Sequence, residues 1–137
     1  MNDNISSTLV SDADCMDFVD KLFGISYVLK LEPTVFRFAD QLAASTYNGG
    51  YWQFFALSSG GFYMAPRTDT IFKVNADNGF SGQLSGDALG ITACLYAFSQ
   101  LSFGGGKLAE TCADHYHLLR EHIFGHPEVK SILAAID

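Results

Sequence analysis

The sequence predicts an α+β domain, in which a small antiparallel β-sheet of three to four strands is packed among about five helices. Two observations support this prediction most directly. Residues 51–65 have the composition of a central β-hairpin, and residues 87–103 have that of a helix buried on all sides. The 137 residues, of which 48% are apolar, are enough for one domain with a substantial hydrophobic core.

The N-terminal segment predicts a flexible lead-in, at residues 1–10, followed by a helix. Ser11 is suited to cap this helix, with Asp14 at the capping-box spacing, and Gly24 is its expected end. Several acidic side chains occupy the first turns, where the helix dipole favours them. We expect them to form a solvated face, although a contact with a basic partner is the alternative. They are Asp12, Asp14, Asp17 and Asp20.

The segment between this helix and the hairpin is partly ambiguous. Residues 27–31 are compatible with either a short strand or an extended linker. Pro33 has the fixed φ angle that suits the first turn of a helix, so a second helix is predicted from there to about residue 44. Its apolar stripe consists of Val35, Phe38, Ala39 and Leu42.

The hairpin lies within residues 47–66 and is the most distinctive stretch of the sequence. An Asn-Gly-Gly turn precedes its first strand, and a Ser-Ser-Gly-Gly turn joins that strand to the second. The first strand, at 51–57, is mostly apolar on both faces, so we expect both faces to be covered. Trp52 and Phe54 are therefore predicted to be core residues that pack against the apolar helix.

Two short strands and three helices are predicted after the hairpin. The strands are expected at 70–75 and 80–84, and the helices at 87–103, at 108–124 and from Pro127 onward. No charge occurs from residue 88 through 106, which indicates complete burial of the first of these helices. This helix is too short and too polar to span a membrane. Gly90, near its start, predicts a close approach to the sheet.

A group of reactive side chains near the C-terminus lacks the pattern of a catalytic or metal site. The His-Glu-x-x-His and paired-cysteine signatures are missing, and Cys112 falls in an apolar stripe. The glycine pairs lack the residues that follow them in a phosphate-binding loop. We therefore predict a protein that is not an enzyme and has no catalytic residue, metal or cofactor. The group consists of Cys112, Asp114, His115, His117, Glu121, His122 and His126.

The charge of the chain also limits the possible partners. A net charge of −7, with scattered lysines and arginines, argues against direct binding of nucleic acid or of an anionic membrane. Three cysteines without a framework spacing indicate a reducing compartment, and the polar N-terminus shows no signal peptide. We expect a monomeric, cytoplasmic protein.

Several blocks of the sequence resemble those of a known protein family. Residues 47–52 (Tyr-Asn-Gly-Gly-Tyr-Trp) and 60–66 (Gly-Gly-Phe-Tyr-Met-Ala-Pro) closely resemble the signature of the ArdB/KlcA plasmid antirestriction proteins. The likeness covers about residues 33–137, whereas the segment before Pro33 is not matched. The later blocks, in the same order, are 78–82, 87–91, 95–99, 116–121, 126–128 and 135–137.

This resemblance implies a small α+β fold and the protection of incoming plasmid or phage DNA by inhibition of host type I restriction–modification enzymes. The implied partner is the restriction complex or an accessory factor, contacted without catalysis. One alternative is an acidic mimic of DNA, which needs about one charge per 1.7 Å of duplex axis; 15 acids offset by 8 bases are too dilute for that. Another is an enzyme that uses the C-terminal histidine and acid group.

Two surfaces are predicted to contact a partner, because binding residues concentrate on loops held by a rigid scaffold. The first consists of two loops beside the hairpin, which contain Tyr47, Asn48, Gly49, Arg67, Thr68 and Asp69. The second is the polar face of the helix at 108–124, which contains Asp114, His117 and Glu121. In the alternative interpretation, Asn48 only satisfies its own turn.

Overall fold

The computed structural model describes residues 5–137, which form five α-helices, one π-helix and five β-strands. The helices are α1 (Cys15–Phe23), α2 (Glu32–Leu42), α3 (Gly86–Leu101), α4 (Gly106–Ile123) and α5 (Val129–Ile136), and the π-helix (Tyr27–Leu31) precedes α2. The strands are β1 (Ser7–Leu9), β2 (Trp52–Leu57), β3 (Phe62–Pro66), β4 (Phe72–Asn75) and β5 (Ser81–Leu84). The predicted α+β class is confirmed.

The predicted hairpin is also confirmed, and it belongs to a three-stranded antiparallel sheet with the order β1-β2-β3. Phe54 of β2 lies opposite Met64 of β3, and Thr8 of β1 lies opposite Ala56 of β2. The predicted flexible lead-in was wrong for Ser7–Leu9, because these residues pair with an edge of β2 that would otherwise be open. Residues 1–4 of that prediction lie outside the described residues.

The strands β4 and β5 pair with each other in a separate two-stranded sheet. The hairpin sheet has three strands, within the predicted three to four, but its third strand is β1 and not one of the two strands predicted after the hairpin. Pro66 has no N–H group to continue the hairpin ladder, and the exposed residues 67–70 lead the chain away before β4 begins. The side chain of Thr46 supports β4 instead, because its hydroxyl accepts a hydrogen bond of 3.1 Å from the N–H group of Lys73.

Helix α3 is the central helix of the core, as predicted. Ser85 caps it, with its hydroxyl accepting a hydrogen bond of 3.1 Å from the N–H group of Ala88. It packs on β3, α2, α4 and α5. Gly90 lies directly on β3, where a Cβ atom would be only 2.4 Å from the Cα of Ala65, so the predicted close approach is confirmed. No helix within residues 5–137 is long and apolar enough to cross a bilayer.

Trp52 and Phe54 are 6% and 8% exposed, which confirms them as core residues. Their aromatic ring contacts are with elements other than the predicted partner α3. The Trp52 ring contacts Phe36 of α2, and the Phe54 ring contacts Tyr27 of the π-helix, with centroid distances of 5.1 and 5.7 Å. Gly90 allows α3 to lie against β3, whereas α2 and the π-helix pack their aromatic rings on β2.

The segment at 27–31 is neither of the predicted alternatives, since its π-helix continues directly into α2. Tyr27 and Leu31 are buried and, four residues apart, they share one helical face. A short, mostly apolar run fits a strand and a helix equally well, so the sequence alone did not distinguish them. The Tyr27 hydroxyl donates a hydrogen bond of 3.2 Å to the Glu32 carboxylate, and Pro33 lies in the first turn of α2 as predicted.

Candidate functional site

The two predicted loops meet at one opening of about 220 Å³, which we call the loop cavity. Asn48 and Gly49 contribute from the first loop, and Arg67 and Thr68 contribute from the second. The sheet holds the loops together, because the N–H group of Arg67 donates a hydrogen bond of 2.8 Å to the carbonyl oxygen of Tyr51 beyond the last strand pair. Four predicted residues from two separate loops therefore surround one opening.

The lining of the loop cavity is polar and suited to hydrogen bonding. Three threonines, one tyrosine and Arg67 are among the residues that line it. Gly49 has a φ angle of 84° and Gly50 one of 118°, a region that glycine adopts more readily than other residues. This arrangement suits a polar or acidic side chain of a partner, since arginine binds carboxylates well. The four hydroxyl-bearing residues are Thr46, Tyr51, Thr68 and Thr70.

The remaining two loop residues differ from the other four. Tyr47 is half-buried, and its hydroxyl accepts a hydrogen bond of 3.0 Å from the indole N–H group of Trp52. It therefore supports the core as well as the loop. Asp69 is exposed in the loop between Thr68 and Thr70 but does not line the cavity.

The second predicted surface is a separate polar face. Asp114, His117 and Glu121 are all exposed on α4, as the amphipathic pattern predicted, and none of them lines the loop cavity. Within the described part of the chain, no group of three or more histidine, cysteine, aspartate or glutamate residues is arranged to hold a metal ion. The three exposed side chains can form surface hydrogen bonds and charge contacts.

Sequence reasoning missed a polar network at the start of α3. Asp87 accepts hydrogen bonds from the Tyr63 hydroxyl, at 2.7 Å, and from His126 Nε2, at 2.8 Å. The N–H group of Glu128 donates to His126 Nδ1 at 3.0 Å, which requires the neutral tautomer with its proton on Nε2. The carboxylate of Glu128 in turn accepts a hydrogen bond of 2.9 Å from the N–H group of Ser85.

The protonation states in this network follow from its contacts. Burial would raise the pKa of Asp87, but the hydrogen bonds from His126 and Tyr63 outweigh it and hold that pKa below its usual value. Burial, with the hydrogen bond to Asp87, raises the pKa of Tyr63. The network therefore joins the segment before α5 to α3 and β3 and has a structural role. Asp87 is 24 residues from Tyr63 and 39 residues from His126 in the sequence, so no local motif could have revealed the network.

Two members of the C-terminal group are buried in apolar surroundings. Burial raises the pKa of Cys112 to about 11, so its thiol is protonated at neutral pH. His115 is 5% exposed and packs against the rings of Phe23 and Phe98, at centroid distances of 4.9 and 5.6 Å. Its Nδ1 has no hydrogen-bond partner among the described residues. Burial lowers the pKa of His115, although nearby Asp114 partly offsets this effect.

Acid is therefore expected to destabilise the fold through His115. Because its pKa in the folded chain lies below its pKa in the unfolded chain, the unfolded chain takes up a proton first as the pH falls. The stability that neutral His115 contributes is fully present above its pKa in the unfolded chain, which is near 6.5. This stability is lost as the pH falls through the pKa in the folded chain, by at most about 1.4 kcal/mol per pH unit. His115→Phe should reduce the decrease in melting temperature between pH 7.5 and pH 5.

The matched control is His117→Gln, because His117 is exposed on the same helix. This variant should keep the full decrease in melting temperature. His122 contributes in the same direction, since burial lowers its pKa as well, so some decrease should persist in His115→Phe. If His115→Phe and the unmodified protein lost the same melting temperature in acid, His115 would not be a source of the acid sensitivity.

Comparison with known sequences relates most of the chain to one family. The sequence model of a family described as antirestriction protein matches residues 45–137. Two curated relatives from Escherichia coli, both called antirestriction protein KlcA, are 40% and 42% identical to this chain. Each alignment covers 97% of this chain, and they cover 95% and 94% of the relatives. Similarity thus extends into the segment before Pro33, where the motifs alone gave no match.

A solved structure shows the same arrangement of the chain. It matches this fold with a TM-score of 0.91 and 39% sequence identity, and the match covers 100% of both chains. That structure, of the KlcA and ArdB proteins, is described as showing a novel fold and antirestriction activity against type I DNA restriction systems in vivo but not in vitro.

Proposed function

This chain belongs to the antirestriction protein family, which confirms the resemblance found in its motifs, and from this premise we propose that it protects incoming DNA against type I restriction systems of the host. In this proposal the protein acts in the cytoplasm, where newly entered DNA meets the restriction enzyme. It acts by contact with the restriction complex or with an accessory factor, and it catalyses no reaction.

One observation supports this proposal above all others, the match of the whole fold to the KlcA and ArdB structure. A TM-score of 0.91 over both complete chains covers the sheets and the helices together. A fold by itself does not determine a function. Here, however, identity of about 40% accompanies it over nearly the entire chain.

Mimicry of DNA is the weaker of the two inhibitory mechanisms. The acidic residues are offset by 8 bases, and part of the acidic charge has local structural roles. Asp87 holds the polar network, and Glu128 binds the start of α3. The 15 acids, offset by 8 bases, are too dilute for the dense, regular row of charge that a duplex presents.

An enzymatic mechanism has little chemical support. The thiol of Cys112 is protonated, and His126 has both ring nitrogens in hydrogen bonds to the protein. His115 lies between aromatic rings, away from solvent. Cys112, His115 and His126 thus support the fold, which favours inhibition by contact.

The KlcA and ArdB activity is described as present in vivo but not in vitro, and this difference favours an accessory factor. An inhibitor that blocked the purified restriction enzyme directly would be expected to do so in both settings. We therefore propose that this chain, too, requires a component or state of the restriction system that exists only in the cell.

The proposal is tested by plating unmodified phage on cells that carry a type I system, with and without this protein. Expression should raise the plating efficiency. Phage already modified by the host, and a second host without the restriction system, should show no change. Equal plating of unmodified phage with and without well-expressed, folded protein would refute the proposed function.

We further propose that the two loops around the loop cavity contact the partner, with the polar face of α4 as the second choice. Asn48→Ala, Arg67→Ala and Asp69→Ala should each reduce protection by about tenfold or more, as expected for central contact residues, without lowering the melting temperature. The side chains are exposed, so their removal leaves the core intact. Protection is measured by phage plating and stability by thermal unfolding.

Lys130→Ala is the matched control, since it removes an exposed cation from α5 at a distance in sequence from both loops. It should leave both protection and stability unchanged. If protection in the loop variants falls only in proportion to their melting temperature, the loops are structural. Full protection in all three variants would instead favour the polar face of α4 as the contact surface, with Asp114, His117 and Glu121.

A further inference from the structure

The surface between α1 and the π-helix contains an apolar groove. Ile25, Val28 and Leu29 have the i, i+3, i+4 spacing of one helical face, yet they are 69%, 43% and 66% exposed. Met16 of α1 is 56% exposed. A cavity of about 260 Å³ lies between Met16 on one side and Ile25 and Val28 on the other, and we call it the α1 groove. Contiguous exposed apolar surface of this kind indicates an interaction site.

The charged side chains that line the α1 groove are acidic. Asp17 and Asp20 stand on its α1 side, and both are exposed. Asp12 and Asp14 are also exposed just before α1 and extend the negative charge along the chain. Lys21 belongs to a different opening, on the other side of Gly24. The groove therefore combines an apolar floor with a negative rim.

The walls of the groove are held by the core. Tyr27 and Leu31 of the π-helix are buried, which fixes the intervening Val28 and Leu29 toward solvent. The Tyr27 hydroxyl is bonded to Glu32, and Val19 holds α1 from beneath with 1% exposure. A short π-helix is uncommon and is frequently found at functional sites. A rigid, already formed groove loses little conformational freedom on binding.

We propose that the α1 groove binds a basic, amphipathic helical segment of a partner protein. The apolar face of that segment would pack on Met16, Ile25 and Val28, and its lysines or arginines would meet Asp17 and Asp20. Helices commonly bind in this way, with apolar anchors in a groove and opposite charges at its rim. The proposal goes beyond the antirestriction function and does not depend on it, since it defines a second contact surface with its own partner chemistry.

The negative charges at the rim of the α1 groove favour a basic helix over the other possible occupants. Nucleic acid and anionic membranes would be repelled by the acidic rim. A second copy of this chain, docked about a twofold axis, would bring the same carboxylates toward each other. A basic helix is the occupant for which both the apolar floor and the negative rim are favourable.

The test uses a fluorescent synthetic peptide of about four helical turns, with leucines at i, i+3, i+4 and i+7 and lysines elsewhere. Binding to the full chain is followed by fluorescence anisotropy at low and high salt. We expect saturable binding that weakens with salt. The double variants Ile25→Ser/Val28→Ser and Asp17→Lys/Asp20→Lys should each weaken binding at least about tenfold. A twin peptide with glutamate in place of every lysine should not bind.

Two controls separate the groove from general attraction to an acidic protein. Ile71→Ser removes a side chain that is 55% exposed elsewhere, and Glu110→Lys reverses an exposed charge on α4. Both should bind the peptide as the unmodified chain does. Because all the altered side chains are exposed, circular dichroism and thermal unfolding should show intact folding in every variant.

Several results would overturn the proposal. One is the absence of saturable binding, and another is equal binding by the groove variants and the controls. Binding of phosphatidylserine vesicles that is lost in Ile25→Ser/Val28→Ser would assign the groove to a membrane. A concentration-dependent dimer that the same variant abolishes would assign it to a second copy.

Discussion

Gly90→Ala is expected to lower the free energy of unfolding by about 3 kcal/mol, near the upper end of the usual cost of overpacking. The new methyl group would lie 2.4 Å from both the Cα and the Cβ of Ala65 and 2.4 Å from the carbonyl oxygen of Met64. Two of these are backbone atoms of β3, which cannot move aside as a flexible side chain can. Separating α3 from β3 would loosen the centre of the core.

The intrinsic helix propensity of alanine acts in the opposite direction, because alanine is favoured over glycine by about 1 kcal/mol within a helix. The clash is larger, so the net effect is destabilisation, with a decrease in melting temperature of about 10 °C. Gly125→Ala is the control, since its Cβ would have only an ordinary contact at 3.8 Å. A melting temperature for Gly90→Ala at or above that of the unmodified chain would contradict the packing of α3 on β3.

Trp52→Ala is expected to destabilise the protein by about 3–5 kcal/mol, through loss of apolar burial and formation of a cavity. The indole is 6% exposed and packs on Phe36, with its edge toward the ring of Tyr47. Its N–H group also donates to the Tyr47 hydroxyl. The substitution therefore loosens the first loop of the loop cavity together with the contact between β2 and α2.

Phe103→Ala is the matched control, because it removes an aromatic ring that is 86% exposed. Its melting temperature should stay close to that of the unmodified chain. The melting temperature of Trp52→Phe should lie between those of Trp52→Ala and Phe103→Ala, since phenylalanine retains the ring contact with α2 but not the hydrogen bond. An unchanged melting temperature for Trp52→Ala would show that Trp52 belongs to an exposed recognition surface.

The elements with local signals could be predicted from the sequence. Turn residues flank the hairpin, so β2 and β3 could be located from composition alone. The uncharged stretch determined that α3 is central, and Gly90 within it indicated a close approach to the sheet. The polar face of α4, with Asp114, His117 and Glu121, also follows from helical periodicity and is exposed as predicted.

The candidate site could be predicted from the sequence only in part. The two loops were predicted separately, each from its turn chemistry. That Asn48 and Arg67 line the same cavity depends on the pairing of β2 with β3 and on the hydrogen bond between Arg67 and Tyr51. Similarly, exposure of Ile25 and Leu29 could not be read from an apolar run, because such a run is equally typical of the core.

Tertiary structure alone decided which distant segments meet. The pairing of β1 with β2, the separate sheet of β4 and β5, and the network around Asp87 join residues that no local pattern relates. The physical reason is that sequence patterns report local backbone preference and the side of an element that is buried. The partner of a buried face or open edge depends on the packing of the whole chain. Here α3 can lie against β3 because Gly90 has no side chain, whereas α2 and the π-helix pack their aromatic rings on β2.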